Sequence, residues 1–295
     1  MGEKMDNASD KIVVQFWGIR GTFPVPGKNA LRYGGNTNCV TLHFPDNNLF
    51  IFDAGTGIRS LSNDLIKHDM FPLVAKIFIS HPHWDHINGI PFFVPLYKKE
   101  SDIEILGPSQ KNDGIEKIVS DQMNGVYFPI TEKELPAKIT YRCLSEETFY
   151  IDEVQIQTVL LSHPGQCLGY RIQCQNKIFC YITDNELYLE GSQYYVQSEF
   201  DKLVKFIYQA NLLVIDTTYS DEEYLEKIQW GHSCVSRVVD LADKAQVKTL
   251  CLYHHDPDQS DQCIDIKLRQ AKSMLRLRHS KTRCIAPREG DKIFI

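Results

Sequence analysis

Four side chains with metal-binding chemistry fall within the six residues His81-Pro82-His83-Trp84-Asp85-His86, directly after the apolar run Lys76-Ile77-Phe78-Ile79-Ser80. Neutral imidazoles and carboxylates suit Zn²⁺ and similar ions, and a strand-to-loop junction can aim several of them at one point. Without a cation, groups packed this tightly would repel one another on protonation. A polar turn that merely contains histidine is the bland alternative, and it explains the cluster less well. Three further segments carry the same residue types: Ser162-His163-Pro164-Gly165, Tyr181-Ile182-Thr183-Asp184 and Tyr253-His254-His255-Asp256-Pro257.

An HxHxDH run after an apolar strand resembles the signature of the metallo-β-lactamase-fold hydrolases, and the three later segments resemble that family's remaining ligand motifs in order and approximate spacing. Asp53, at the end of Leu49-Phe50-Ile51-Phe52-Asp53-Ala54-Gly55, resembles the first motif. The resemblance covers nearly the whole chain and implies a two-metal site. His81, His83 and His163 would hold one ion, Asp85, His86 and a last histidine the other, with Asp184 bridging. The last ligand is His254 or His255; setting Cys251-Leu252-Tyr253-His254 against the family's strand-end motif favours His254. Asp53 is expected to orient a ligand or hold a loop, and a turn-capping role is equally compatible. His43, His68 and His279 fall outside every motif and read as packed or surface residues.

Two more motifs bear on the reaction. Leu212-Leu213-Val214-Ile215-Asp216-Thr217-Thr218-Tyr219 resembles the strand of ribonuclease Z-like phosphodiesterases that carries an acidic residue, usually Glu, at the Asp216 position. Trp230-Gly231-His232-Ser233 resembles the motif that partners it. The resemblance implies a catalytic set of His232, Asp216 and Asp85, with the imidazole able to protonate a departing alkoxide. His232 is expected at a helix start, where the dipole opposes its charge while Asp216 favours it, leaving its pKa near neutrality.

Between His163 and Asp184 lie only residues 164–183. Ribonucleases Z that process transfer RNA carry a protruding arm there, and this interval has no room for one. The amino-terminal pattern Gly18-Ile19-Arg20-Gly21-Thr22, Pro24-Val25-Pro26-Gly27 and Tyr33-Gly34-Gly35-Asn36-Thr37 resembles cyclic-nucleotide phosphodiesterase-like members. Arg20, Asn36 and His255 are candidate substrate contacts, although glycine and proline also serve ordinary turns. The run Pro91-Phe92-Phe93-Val94-Pro95-Leu96-Tyr97 could face a nucleobase or pack in the core.

The expected function is hydrolysis of a small phosphodiester, in first place a cyclic nucleotide, with two divalent ions, Zn²⁺ before Mn²⁺ or Fe²⁺. The rivals are an RNA-processing nuclease of ribonuclease Z type, a carboxylic-ester, thioester or lactam hydrolase, and a nucleotide sensor that turns nothing over. The net charge of −6 argues against a long nucleic-acid track, which rewards clustered Lys and Arg. A homodimer is expected by resemblance only.

These groups need a frame. At 295 residues, with 43% hydrophobic and 24% charged residues, the chain is an ordinary globule able to bury a large core. The nine cysteines are scattered without a CxxC pair, which predicts free thiols and a reducing cytoplasm. No stretch has the length of a membrane span, and no apolar signal core precedes residue 12. Residues 1–10 read as frayed, and residues 11–295 as one domain.

Apolar runs predict strands at Ile12–Trp17, Cys39–Phe44, Leu49–Asp53, Ile77–Ser80, Ile103–Leu106, Val154–Leu161, Gly169–Cys174, Ile178–Thr183, Leu212–Asp216, Thr249–Tyr253 and Lys292–Ile295. Val235, Val238, Val239 and Ala242 mark one helix face, and Ile264, Leu268, Ala271 and Leu275 another. The pattern predicts an α/β chain, and the resemblance sharpens this to a four-layer αββα sandwich.

Overall fold

The computed structural model describes residues 11–295, so the expected frayed end at 1–10 lies outside the described residues. The amino-terminal half supplies β1 (Val13–Gly18), β2 (Cys39–His43), β3 (Leu49–Phe52), β4 (Val74–Phe78), β5 (Asp102–Pro108) and β6 (Lys138–Leu144). The second half supplies β7 (Thr148–Ile151), β8 (Val154–Leu160), β9 (Leu168–Cys174), β10 (Lys177–Ile182), β11 (Leu212–Asp216), β12 (Thr249–Tyr253), β13 (Arg283–Ile285) and β14 (Lys292–Phe294). They form two seven-stranded sheets, ordered β14-β1-β2-β3-β4-β5-β6 and β13-β12-β11-β10-β9-β8-β7. Each sheet is antiparallel on one side and parallel on the other: β3 to β6 run parallel in the first, and β10 to β13 in the second.

Alternation along the strands shows why the runs are apolar throughout rather than every second residue. In β3, Phe50 and Phe52 enter the core between the sheets, while Leu49 and Ile51 face outward onto helix α1 (Gly57–Lys67) through Ile58, Leu61 and Leu65. Both faces are buried, as a sheet covered by helices requires. Phe52 stacks on Phe78 at 5.2 Å and meets Tyr170 and Tyr181 of the opposite sheet at 5.8 and 5.5 Å, tying the layers at the level of the ligand loops.

The remaining α-helices are α2 (Trp84–Ile87), α3 (Ile115–Ser120), α4 (Gln197–Phe206), α5 (Asp221–Tyr224), α6 (Val235–Lys244) and α7 (Asp261–Leu277). The predicted faces of α6 and α7 are the buried ones, with Leu268 only partly covered. Strands β6, β7 and β13 were not expected from the sequence. In β6, Lys138, Thr140 and Arg142 break the apolar run of an edge strand that is only half covered. Helix α1 was also not expected, although Ile58, Leu61 and Leu65 fall at i, i+3 and i+7 on its buried face; the polar Ser62 interrupts that stripe.

Parallel strands end on the same side, and that edge gathers the chemistry. Asp53 follows β3, His81 and His83 lie just beyond β4, Asp184 follows β10, Asp216 ends β11 and His254 follows β12.

Candidate metal centre

Asp53, Asp184 and His254 turn off their strands in the left-handed region, with φ of 57°, 48° and 58°. Non-glycine residues accept that conformation at a cost that surrounding structure must offset, and Asp is among the side chains that tolerate it best. The turn swings each side chain back over the strand end toward a common centre.

His81, His83, His163 and Asp184 can each place one ligand atom within 4.8 Å of the others, and so can Asp85, His86 and His254. His83 Nδ1 stands 2.9 Å from His81 Nε2 and 3.1 Å from His163 Nε2. Asp184 lies between the two groups. Its Oδ2 is 3.5 Å from His81 Nε2 and 3.7 Å from His163 Nε2; its Oδ1 is 3.2 Å from His86 Nε2 and 3.0 Å from His254 Nε2. The sequence motifs, spread over 174 positions from His81 to His254, therefore meet at one carboxylate.

The nitrogens that turn away from the centre are held by acceptors. His86 Nδ1 donates to Asp53 Oδ2 at 2.7 Å, and His163 Nδ1 to the Gly231 carbonyl at 2.9 Å. His81 Nδ1 lies 3.1 Å from Ser80 Oγ, whose hydroxyl donates to Asp53. His254 Nδ1 lies 3.0 Å from Thr218 Oγ1, whose hydroxyl donates to Asp216. With the outer nitrogen protonated, the inner Nε2 presents a lone pair, which is the tautomer a metal requires. Burial holds His81 well below the ordinary imidazole pKa and also lowers His83 and His163, so these three are neutral donors.

Charge gives a second test of fit. Asp53, Asp85, Asp184 and Asp216 are all buried around this centre. Burial opposes charge on His86, but Asp85, Asp184 and Asp53 outweigh it and raise its pKa well above the ordinary value. One imidazolium cannot neutralise three carboxylates, and unbalanced buried charge is costly. Divalent metal ions fit this donor set in both chemistry and charge.

Beside the two groups, His232 Nδ1 donates to Asp216 Oδ2 at 2.8 Å and lies 4.0 Å from Asp184 Oδ2. Its placement differs from the expectation. Helix α6 begins at Val235 with Cys234 as its cap, so His232 stands before the helix and receives no terminal N–H dipole. Burial disfavours the imidazolium, yet Asp216 overrides it and raises the pKa to about 9 rather than leaving it near neutrality. Asp216 itself is lowered, with burial again overcome by His232. The shorter acid at this strand end, Asp instead of Glu, still reaches the imidazole.

Three expected substrate contacts are corrected. Arg20 is fully buried; its Nε donates to the Gly34 carbonyl and its Nη1 to the Asp256 and Gln259 carbonyls. His255 is equally buried, and its backbone pairs with Ile19 and Gly21, fastening the glycine-rich segment to the end of β12. Asn36 gives both its backbone and side-chain N–H to Glu289. None of the three faces the centre. The residue that does is Asn38, one past that pattern, whose Nδ2 lies 3.2 Å from Asp85 Oδ2 and 3.1 Å from His86 Nε2. Its position was legible only as part of a turn-rich stretch.

Thr22, Ser80, Thr218 and Tyr181 were also missed. Thr22 N–H donates to Asp85 Oδ2 at 2.7 Å, and Tyr181 hydroxyl to Asp53 Oδ2 at 2.9 Å. Ser80 and Thr218 each neighbour a motif, but hydroxyls carry no spacing signal of their own. Lys267 lies buried beneath the Thr217 and Thr218 carbonyls, which accept from its Nζ; burial lowers its pKa to about 7. Phe93 packs in the core and Phe92 meets Phe128 edge-on, so the Pro91–Tyr97 run is chiefly packing. His43, His68 and His279 stand apart from the centre: His43 meets Thr41, His68 pairs with Asp64, and His279 is exposed. All nine cysteines are free thiols. Among the described residues, no helix is long and apolar enough to cross a membrane.

Comparison with known proteins agrees with this geometry. The family model for the Beta-lactamase superfamily domain matches residues 48–255, more than two thirds of the chain. A ribonuclease Z of Thermoplasma acidophilum is 25% identical over 293 residues, covering 86% of this chain and 89% of that protein. Among solved structures, unliganded yeast PDE1 superposes with a TM-score of 0.72 at 14% identity, covering 97% of this chain and 99% of the other. The metallo-beta-lactamase fold protein YhfI from Bacillus subtilis gives 0.71 at 16% identity, covering 97% and 100%. The chain belongs to the Beta-lactamase superfamily and is a metal-dependent hydrolase of the metallo-β-lactamase fold.

Proposed function

We propose that this protein is a two-metal phosphodiesterase acting on a small phosphodiester, in first place a cyclic nucleotide. The observation that carries the reading is the Asp216–His232 pair, 2.8 Å apart and 4.0 Å from Asp184. An alkoxide leaving a phosphodiester needs a proton, which this pair can deliver, whereas thioester hydrolysis expels a stable thiolate and has no such need. His81, His83 and His163 would hold one ion and Asp85, His86 and His254 the other, with Asp184 shared. Two bound divalent ions, Zn²⁺ before Mn²⁺ or Fe²⁺, would supply Lewis-acid stabilisation of phosphate charge and acidify a water.

The chain's own groups divide the remaining work. His232 holds its Nδ1 proton on Asp216, which fixes the ring and leaves the Nε2 proton to be delivered to the departing oxygen. Thr218 fixes Asp216 and His254 together. Asp85, held by Thr22 and Asn38, is kept ionised well below the ordinary carboxylate range: burial opposes this, but His86 and His254 outweigh it.

Size favours a small substrate over a folded RNA. Residues 164–183 are taken up by the β9–β10 hairpin, whose strands join through the tight turn at Gln175 and Asn176. The second reading is an RNA-processing nuclease, favoured by relatives described as ribonuclease Z at 25% and 27% identity. Metal-loaded protein assayed on bis-p-nitrophenyl phosphate, cyclic AMP, cyclic GMP and a precursor transfer RNA separates the two. Turnover of the RNA alone would replace the first reading by the second; turnover of none would end both.

A further inference from the structure

Trp230 and Lys227 stand beside the proposed acid and belong to none of the ligand motifs. The Tyr219 and His232 rings stand nearly perpendicular, with centroids 5.9 Å apart. Lys227 Nζ lies 4.6 Å from the Tyr219 ring centre and 5.5 Å from that of Trp230. Trp230 adjoins Gly231, whose carbonyl holds His163 and whose positive φ of 83° leaves no room for a side chain: a Cβ would stand 2.4 Å from the His163 ring. The backbone that carries the indole is thus fixed beside His163, and Trp230 is 60% exposed there.

A tryptophan whose ring lies open beside the proposed acid offers an apolar face to an occupant, because that area is otherwise in water. A cation over one face draws electron density from the ring and suits the other face to an electron-rich planar group. Lys227 also pairs with Asp256 at 3.3 Å, so its charge is already partly met, and the site fits a neutral ring rather than a further anion. Resting on the reading of His232 as the acid, the substituent on the leaving oxygen must extend toward this wall. The geometry points to Trp230, backed by Lys227, as the stacking platform for a nucleobase carried on the leaving side of the substrate.

Trp17 is buried, so fluorescence changes come from Trp84 and Trp230, both mostly exposed. AMP added to metal-loaded protein should quench tryptophan emission, and ribose 5-phosphate should not. The adenine-dependent quench should survive in Trp84→Phe and disappear in Trp230→Phe. Trp230→Ala should raise KM for cyclic AMP about tenfold, the scale of one base–aromatic stack, with kcat little changed. Quenching that persists in Trp230→Phe and vanishes in Trp84→Phe would overturn the assignment, as would equal binding of AMP and ribose 5-phosphate. Protein that cleaves no diester but keeps the Trp230 quench would remove the catalytic reading and leave the base site standing.

Discussion

Asp53 and Asp216 occupy matching places in the two sheets and are wired alike. Each is a fully buried carboxylate at a strand end. Each bonds one imidazole directly, His86 at 2.7 Å and His232 at 2.8 Å. Each reaches a second imidazole through a hydroxyl, His81 through Ser80 and His254 through Thr218. The outcomes differ because the directly bonded rings sit differently. His86 is fully buried with Nε2 3.2 Å from Asp184, inside a ligand group; His232 keeps 12% of its side chain exposed and approaches Asp184 only by its Nδ1, at 4.0 Å. In the proposed mechanism one device would therefore serve a ligand where the ring is enclosed and a proton donor where the ring meets the cleft.

Replacing each ring in turn tests that difference most strongly. His86→Ala should remove metal from the second group and lower turnover by about 10³-fold or more. His232→Ala should cost about 10² to 10⁴-fold, the range for a positioned acid, with metal content retained. Metal analysis by mass spectrometry beside kcat decides it: loss of metal in both variants would make His232 a further ligand beside Asp184 and His254.

Replacing the two carboxylates sharpens the point. Asp53→Asn should weaken metal binding by about 10 to 100-fold, read by competition with a chelator, and leave the pH profile in place. Asp216→Asn should move the profile instead. An acid works while protonated, and the pKa of His232 is raised, so activity holds below about 9 and falls as pH rises through it. Bound cations pull that value down, which places the wild-type limb at or below about 9. Without the Asp216 carboxylate, only the more distant Asp184 and Asp85 still oppose burial, and the limb should fall toward the ordinary imidazole value of about 6.5. A limb that stays where it was would separate Asp216 from the proton.

How much of this could be read beforehand follows the same division. His81 to His86 declare themselves because one loop carries four candidate ligands within six residues, and neighbours in sequence there are neighbours in space. His163, Asp184 and His254 arrive singly, and only the order of motifs along the chain tied them together. The two sheets were visible as apolar runs because both faces of their central strands are buried. Edge strand β6, with polar Lys138, Thr140 and Arg142 at alternate positions, was invisible for the converse reason. What no pattern conveyed was side-chain direction. Arg20 and His255 read as polar groups near a site, but burial on the far side of the Ile19–Gly21 segment makes them fasteners. The hydroxyls of Ser80 and Thr218, each a relay, are chemically ordinary until the fold puts a carboxylate beside them.

Asn36 gives the smallest effect and tests that last distinction. Its side chain bonds Glu289 at 2.9 Å, with the Asn36 N–H on the other carboxylate oxygen. Burial raises the Glu289 pKa even though Asn36 and Arg20 oppose it, so this carboxylate depends on its few donors. Asn36→Ala removes one of them and should cost about 1 kcal/mol of stability, seen as a lower denaturant midpoint. KM for a phosphodiester should stay within about twofold, because Asn38 and not Asn36 touches the Asp85–His86 group. An unchanged midpoint with a raised KM would return Asn36 to the substrate.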